Sequence, residues 1–207
     1  MTKLAFLRSA SPQKIGLLGG SFNPAHNGHI HISQEAIRRL ELDRMIWLVS
    51  PANPLKDPKT LAPFHKRYAY AQKLVTQSNI IVSDFEQRHQ LFYTQQTIKK
   101  ILTLYPKHHF IWIMGGDNLA SFHHWQGWRQ IADIMPIAVL DRAPFATAAL
   151  RSHAAQSLHG YRRYYRELIM TPPPAWDYVP IRRHSESATR LRTHYGENTW
   201  QEHIFKS

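Results

Sequence analysis

His26 and His29 stand three residues apart, just downstream of the pair Gly19-Gly20, in the stretch GGSFNPAHNGHI that runs from Gly19 to Ile30. The stretch follows the apolar run Ile15 to Leu18. An apolar run ending in paired glycines, then an Asn-Pro turn and a helix-compatible segment, predicts a strand that turns tightly into a helix. Such a corner binds phosphate: glycines let a ligand approach the backbone, and the first helical turn offers unpaired N–H groups and a partial positive charge. With the helix starting near Asn27, both imidazoles lie at that positive end.

Two further places repeat the pattern. The apolar run His109 to Met114 leads into Gly115-Gly116 and then Asp117. A carboxylate beside a close backbone approach suits ribose hydroxyls better than phosphate. Near the other end, Ser187 and Thr189 precede a short helical run in SATRLR, with Arg192 about one turn on. Hydroxyls, helix-start amides and a guanidinium there make a second anion site.

The elements that must position these residues alternate between strand and helix. Strands are predicted at Lys14–Leu18, Met45–Val49, Ile80–Val82, His109–Met114 and Ile137–Leu140, the last closing the regular part of the sheet. The continuous apolar runs are those of strands buried on both faces of a parallel sheet. Helices are expected at Asn27–Leu40, Lys66–Gln77 and Tyr93–Leu104, the last with Thr94 as its N-cap, and over the alanine-rich Ala143–Gly160. Leu168–Met170 reads as a final short strand, and residues 1–13 as a loosely held extension. The sum is a single α/β domain, Rossmann-like, with an open, mostly parallel sheet and helices on both faces.

Composition bounds the rest. At 207 residues the chain can bury a substantial core, and its formal charge of +12 points to an anionic partner. The basic residues are spread along the chain, which suits anionic small molecules better than nucleic acid. Tyr161–Arg166 interleaves tyrosine and arginine, a pattern compatible with nucleic-acid stacking and phosphate contact, and reads first as an amphipathic surface segment. With no cysteine and no apolar run near the roughly 18 residues that span a bilayer, a cytoplasmic protein without disulfides or membrane contact is expected. The HExxH, GxSxG and GxxxxGK[ST] patterns are absent, so covalent and zinc chemistry lack their usual equipment.

The sequence resembles the HxGH nucleotidyltransferase superfamily. GGSFNPAHNGH matches its GG(S/T)FDPxHxGH signature with one departure, Asn23 for Asp. Order, spacing and an FxxW element at Phe122–Trp125 make nicotinate-nucleotide adenylyltransferase the nearest resemblance, over about residues 14 to 192. The resemblance implies that His26 and His29 touch the triphosphate of ATP, with Gly19, Gly20, Ser21 and Phe22 around it. It assigns Lys56, in the proline-rich loop Ser50–Pro63, and Arg192 to the phosphates, together with Ser187 and Thr189. Gly115 and Asp117 fall to the ATP ribose. Asn53, Tyr93, Thr94 and Trp125 fall to the acceptor, with Trp125 stacking on a pyridine ring and Trp128 left to the core. Glu186 stands where the family often has an apolar residue.

The implied reaction is adenylyl transfer from ATP to nicotinate mononucleotide, giving deamido-NAD and pyrophosphate. Mg²⁺ is expected, bound through ATP phosphates with few or no protein ligands and no dedicated metal site. Other acceptors, nicotinamide mononucleotide or phosphopantetheine, and a basic nucleic-acid-binding role are the alternatives, and an oligomer is compatible with the sequence.

Overall fold

The computed structural model describes residues 4–52, 60–141, 146–182, 186–196 and 199–205. Among these, six strands form one sheet: β1 (Lys14–Gly20), β2 (Arg44–Val49), β3 (Ile80–Ser83), β4 (His109–Gly115), β5 (Ile137–Leu140) and β6 (Trp176–Val179). Their order is β3-β2-β1-β4-β5-β6, and each neighbouring pair is parallel. This is the doubly wound α/β arrangement, and its strand order reverses between β1 and β4, where such sheets bind ligands.

Ten helices are described: α1 (Asn27–Leu40), α2 (Phe64–Leu74), α3 (Phe85–Arg88), α4 (Thr94–Leu104), α5 (Gly116–Ser121), α6 (Trp128–Ile134), α7 (Ala146–Leu150), α8 (His153–Ser157), α9 (Ala188–Tyr195) and α10 (Trp200–Ile204). They cover both faces of the sheet. In β2, Ile46 and Leu48 join one apolar cluster while Met45, Trp47 and Val49 join the other. Alternation along a strand sends neighbours to opposite faces, so a wholly apolar strand requires cover on both.

One buried relay fixes the helix that carries the histidines. The Trp47 indole N–H donates to Ser33 Oγ at 2.7 Å, and Ser33 donates to the His29 carbonyl at 2.8 Å. The first turn of α1 is thereby tied to the middle of β2.

The structure corrects several expectations. Residues 4–13 are not a loose extension: Leu4 and Leu7 are buried in the core. His108 pins them, its Nδ1 accepting from Gln13 N–H at 3.1 Å and its Nε2 donating to the Leu7 carbonyl at 2.8 Å. Leu168–Met170 is a 3-10 turn, not a strand. The sheet does not close at β5 but continues to β6, whose WDYV sequence alternates too briefly to stand out. Helix α2 lies at Phe64–Leu74, shifted toward the N-terminus from Lys66–Gln77. Thr94 is the first residue of α4 and Tyr93 is its cap, with no side-chain capping bond. The alanine-rich region makes two short helices, broken where the Ser152 hydroxyl accepts from Ala155 N–H and starts α8.

The Tyr161–Arg166 segment hems the sheet edge. Arg162 pairs with Asp177 of β6 at 2.7 Å, and Arg163 N–H donates to the Trp176 carbonyl at 2.9 Å. No helix among the described residues is long and apolar enough to cross a membrane.

Candidate active site

A cavity of about 570 Å³ opens at the carboxyl edge of the sheet. Gly19, Gly20, Ser21, Phe22, His26 and His29 line it from the end of β1 and the start of α1. Gly115, Asp117 and Trp125 line it from the end of β4 onward, Tyr93 and Thr94 from the start of α4, and Ser187, Thr189 and Arg192 from α9. Asn53 and Lys56 lie outside the described residues.

The early and late corners touch directly. Arg192 donates to the Asn23 carbonyl at 2.8 Å and to Thr189 Oγ1 at 3.3 Å. Glu186 accepts from the Asn27 N–H at 2.7 Å, at the very start of α1, and the His31 ring donates to the Arg182 carbonyl. Ser187 caps α9 by accepting from Arg190 N–H. A carboxylate at the first amide of α1 is in the position that the helix dipole favours for negative charge. Glu186, where the resemblance leads one to expect an apolar residue, thus joins the two corners.

Asn23 explains how the signature tolerates its departure from Asp. Its Nδ2 donates to the Thr60 carbonyl at 2.8 Å and its Oδ1 accepts from Ala62 N–H at 3.0 Å. An aspartate would keep the second bond and set an oxygen against a carbonyl in the first. The glycines act differently from each other. A Cβ on Gly19 would lie 2.5 Å from the Trp112 indole, which itself lines the cavity, whereas one on Gly20 would make only ordinary contact with Phe22. Gly19 therefore makes room for a wall of the cavity. Phe22 takes φ 45°, a left-handed turn that brings the chain round toward α1.

The two histidines form one unit. Their ring centroids are 3.8 Å apart, and His29 also packs on Phe22 and Trp47. His29 Nδ1 accepts from the His26 N–H at 3.2 Å. In its neutral form the His29 ring therefore carries its proton on Nε2, a donor.

At the opposite end Trp125 is half-buried in T-shaped contacts, 6.4 Å from Trp112 and 5.4 Å from Phe122 between centroids. Trp128 is buried instead. Of the two tryptophans, Trp125 reaches the cavity.

Sequence reasoning missed two charged residues. Arg67, fully buried in α2, donates to the carbonyls of Ala62 (2.8 Å), Ser21 (2.5 Å), Ser50 (2.9 Å) and Pro51 (3.1 Å). Burial lowers its pKa to about 10, so it remains a cation at neutral pH. It joins the loops that leave β1 and β2. A signal for it existed: Arg67 lies four residues before Ala71 on the inward face of α2.

Glu86 in α3 lines the cavity at 6 % exposure and accepts from Thr97 Oγ1 at 2.9 Å. Burial pushes its carboxyl up to about 7 from the ordinary 4.5. A folded-state pKa above the unfolded one favours the protonated form, so this group makes stability fall as pH rises from about 4.5 to about 7 and level off above. Glu86→Gln should lose that slope. Chemical denaturation at pH 5 and pH 8 checks it, and an unchanged pH dependence would assign the slope elsewhere.

Residues 17–193 match the Cytidylyltransferase-like family, and the chain belongs to it. A protein of Methylorubrum extorquens (strain PA1) named probable nicotinate-nucleotide adenylyltransferase is 44% identical over 183 residues, 87% of this chain and 99% of that one. One with the same name from Brucella abortus (strain 2308) is 43% identical over 181 residues, covering 86% of this chain and 93% of its own. Among solved structures, Plasmodium falciparum nicotinic acid mononucleotide adenylyltransferase complexed with NaAD shares the fold, with a TM-score of 0.66 at 17% identity over 87% of this chain and 83% of that one.

Proposed function

We propose that this chain is an adenylyltransferase that joins ATP to nicotinate mononucleotide, yielding deamido-NAD and pyrophosphate in NAD biosynthesis. The observation that carries the reading is that the histidine corner and the Arg192 corner line one cavity, with Asp117 and Trp125 in the same wall. The relatives' names supply the substrate class.

The chemistry is in-line attack by an oxygen of the acceptor phosphate on the α-phosphorus of ATP. That bond forms as the α–β bridging bond breaks, and pyrophosphate leaves. No protein nucleophile is needed; positioning and charge stabilisation carry the catalysis. His29 Nε2–H and the His26 ring donate to the triphosphate and to charge developing at the transferring group. Arg192 and Lys56 neutralise the leaving pyrophosphate, with Ser187 and Thr189 at the start of α9 beside it. Asp117 takes the ribose hydroxyls of ATP, and Tyr93, Thr94 and Trp125 hold the acceptor with Asn53.

Mg²⁺ bound together with ATP would supply charge neutralisation at the phosphates, beside the cations of this chain.

Pyrophosphate release with nicotinate mononucleotide, nicotinamide mononucleotide and phosphopantetheine as rival acceptors tests the assignment. Release fastest with the nicotinate compound, and a deamido-NAD product, is the expected result; preference for either of the others would replace it. Trp125→Ala should raise the KM for the mononucleotide about tenfold or more, the loss of roughly 1–3 kcal/mol of stacking, and leave the KM for ATP nearly unchanged. The reverse pattern would return the indole to a packing role.

A further inference from the structure

The reaction as described makes no use of Glu86, although its buried carboxyl lines the cavity. It sits on the first turn after β3, at the same carboxyl edge as the other site residues. Its place is fixed from several sides. Leu91 N–H donates to its carbonyl at 2.9 Å, and Phe85 N–H beside it donates to Ser83 Oγ at 3.2 Å. Thr97 Oγ1 lies 2.9 Å from its Oε1 and 3.4 Å from the Tyr93 carbonyl, so one hydroxyl spans Glu86 and the start of α4. Tyr93, Thr94 and Trp125, assigned above to the acceptor, line the same cavity.

We propose that Glu86 is a specificity-determining residue for the acceptor: as the neutral acid it admits a ring bearing a carboxylate, and as the carboxylate it opposes that ring. The inference rests on the functional reading above, because only a carboxylated acceptor feels the difference in full. A buried charge facing a like charge is screened far less than one in water, so a single ionisation here weighs heavily. An amide-bearing ring carries no such penalty. The switch therefore biases the enzyme between acid and amide acceptors.

The surrounding charges leave this switch to Glu86 itself. From α4 it meets the neutral Thr97 hydroxyl, which also reaches the Tyr93 carbonyl at the cap. On its own turn Asp84 is paired with Arg88 at 2.6 Å, and the His89 ring packs on Phe85 at 4.4 Å. Across the cavity the titratable and charged linings are Asp117, His124, His26, His29 and Arg192. Burial raises the Glu86 pKa and the Thr97 bond opposes it, placing the midpoint near 7.

The test is kcat/KM for nicotinate mononucleotide from pH 5.5 to 8.5 in the wild type and in Glu86→Gln, with the KM for ATP followed alongside. Titration of the substrate phosphate and of the histidines is common to both proteins, so the ratio of the two profiles isolates Glu86. That ratio should change about tenfold between pH 6 and pH 8, the change in acid fraction of a group titrating near 7. The KM for ATP should stay the same in both, and with nicotinamide mononucleotide the ratio should stay flat. Thr97→Val, which removes the bond favouring the charged form, should move the wild-type break to higher pH and gives a second reading should the Gln variant fail to fold. Parallel profiles would overturn the inference, as would a folded Gln variant that has lost the acceptor at pH 6. A wild type that makes no deamido-NAD at any pH would sink the functional reading itself and this inference with it.

Discussion

His29→Ala should lower kcat by roughly 10² or more, the usual consequence of removing one donor that acts on transition-state charge. The ring is held for that task. Its Nδ1 accepts from the His26 N–H and its face packs on Phe22 and Trp47, which fixes the direction in which Nε2 points. Its backbone is anchored through Ser33 to the Trp47 indole, so the helix stays in place when the imidazole goes. Truncation of a half-buried ring should therefore cost about 1–2 kcal/mol of stability, a few degrees in Tm for a chain of this size. His29→Gln, which restores an N–H donor at similar reach, should recover part of the rate. A folded alanine variant whose kcat stays within about threefold of wild type would remove His29 from the mechanism.

Arg67→Ala should be the most damaging single change to the fold. It strips hydrogen-bond donors from four carbonyls at once, those of Ser21, Ser50, Pro51 and Ala62. Each buried acceptor left unpaired costs about 1–3 kcal/mol, and partial rewetting of the loops limits the total to roughly 4 kcal/mol, or about 10 °C in Tm. Lysine keeps the charge but not the planar fork, so Arg67→Lys should recover less than half of the loss. Because Ser21 and Ser50 leave β1 and β2 at the edge of the cavity, the KM for ATP should rise in both variants. Thermal melts and ATP titrations check this. A fully stable alanine variant would mean that water replaces the guanidinium without cost.

The corner Gly19–Ile30 was legible because local chemistry and long-range role coincide there: paired glycines, a turn and a helix start announce themselves within twelve residues. The same holds for the apolar strands β1, β2 and β4, whose burial on both faces leaves no ambiguity of period. Other features depend on contacts distant in sequence. Leu4 and Leu7 show no periodicity in so short a segment, and only the core beneath them and His108, about a hundred residues on, make them structural. Trp176–Val179 follows a proline run and spans four residues, so its strand character comes from pairing with β5. Arg67 and Glu86 were hidden by their own chemistry, since charged side chains are expected outside unless partners are known. Reading Arg67 with Ala71, and Glu86 with Thr97, as inward-facing positions would have raised the question of what neutralises them.

The join between the closing segment and α1 has a consequence for how the enzyme comes into being. Arg192 with Asn23, Glu186 with Asn27 and Arg182 with His31 connect positions more than 150 residues apart, after every strand of the sheet has been laid down. A nascent chain can complete these six strands and still lack the corner that the proposed reading assigns to the phosphates of ATP. On the proposed reading, competence waits for α9, and removing the segment from Arg182 onward should leave the sheet formed and adenylyl transfer lost.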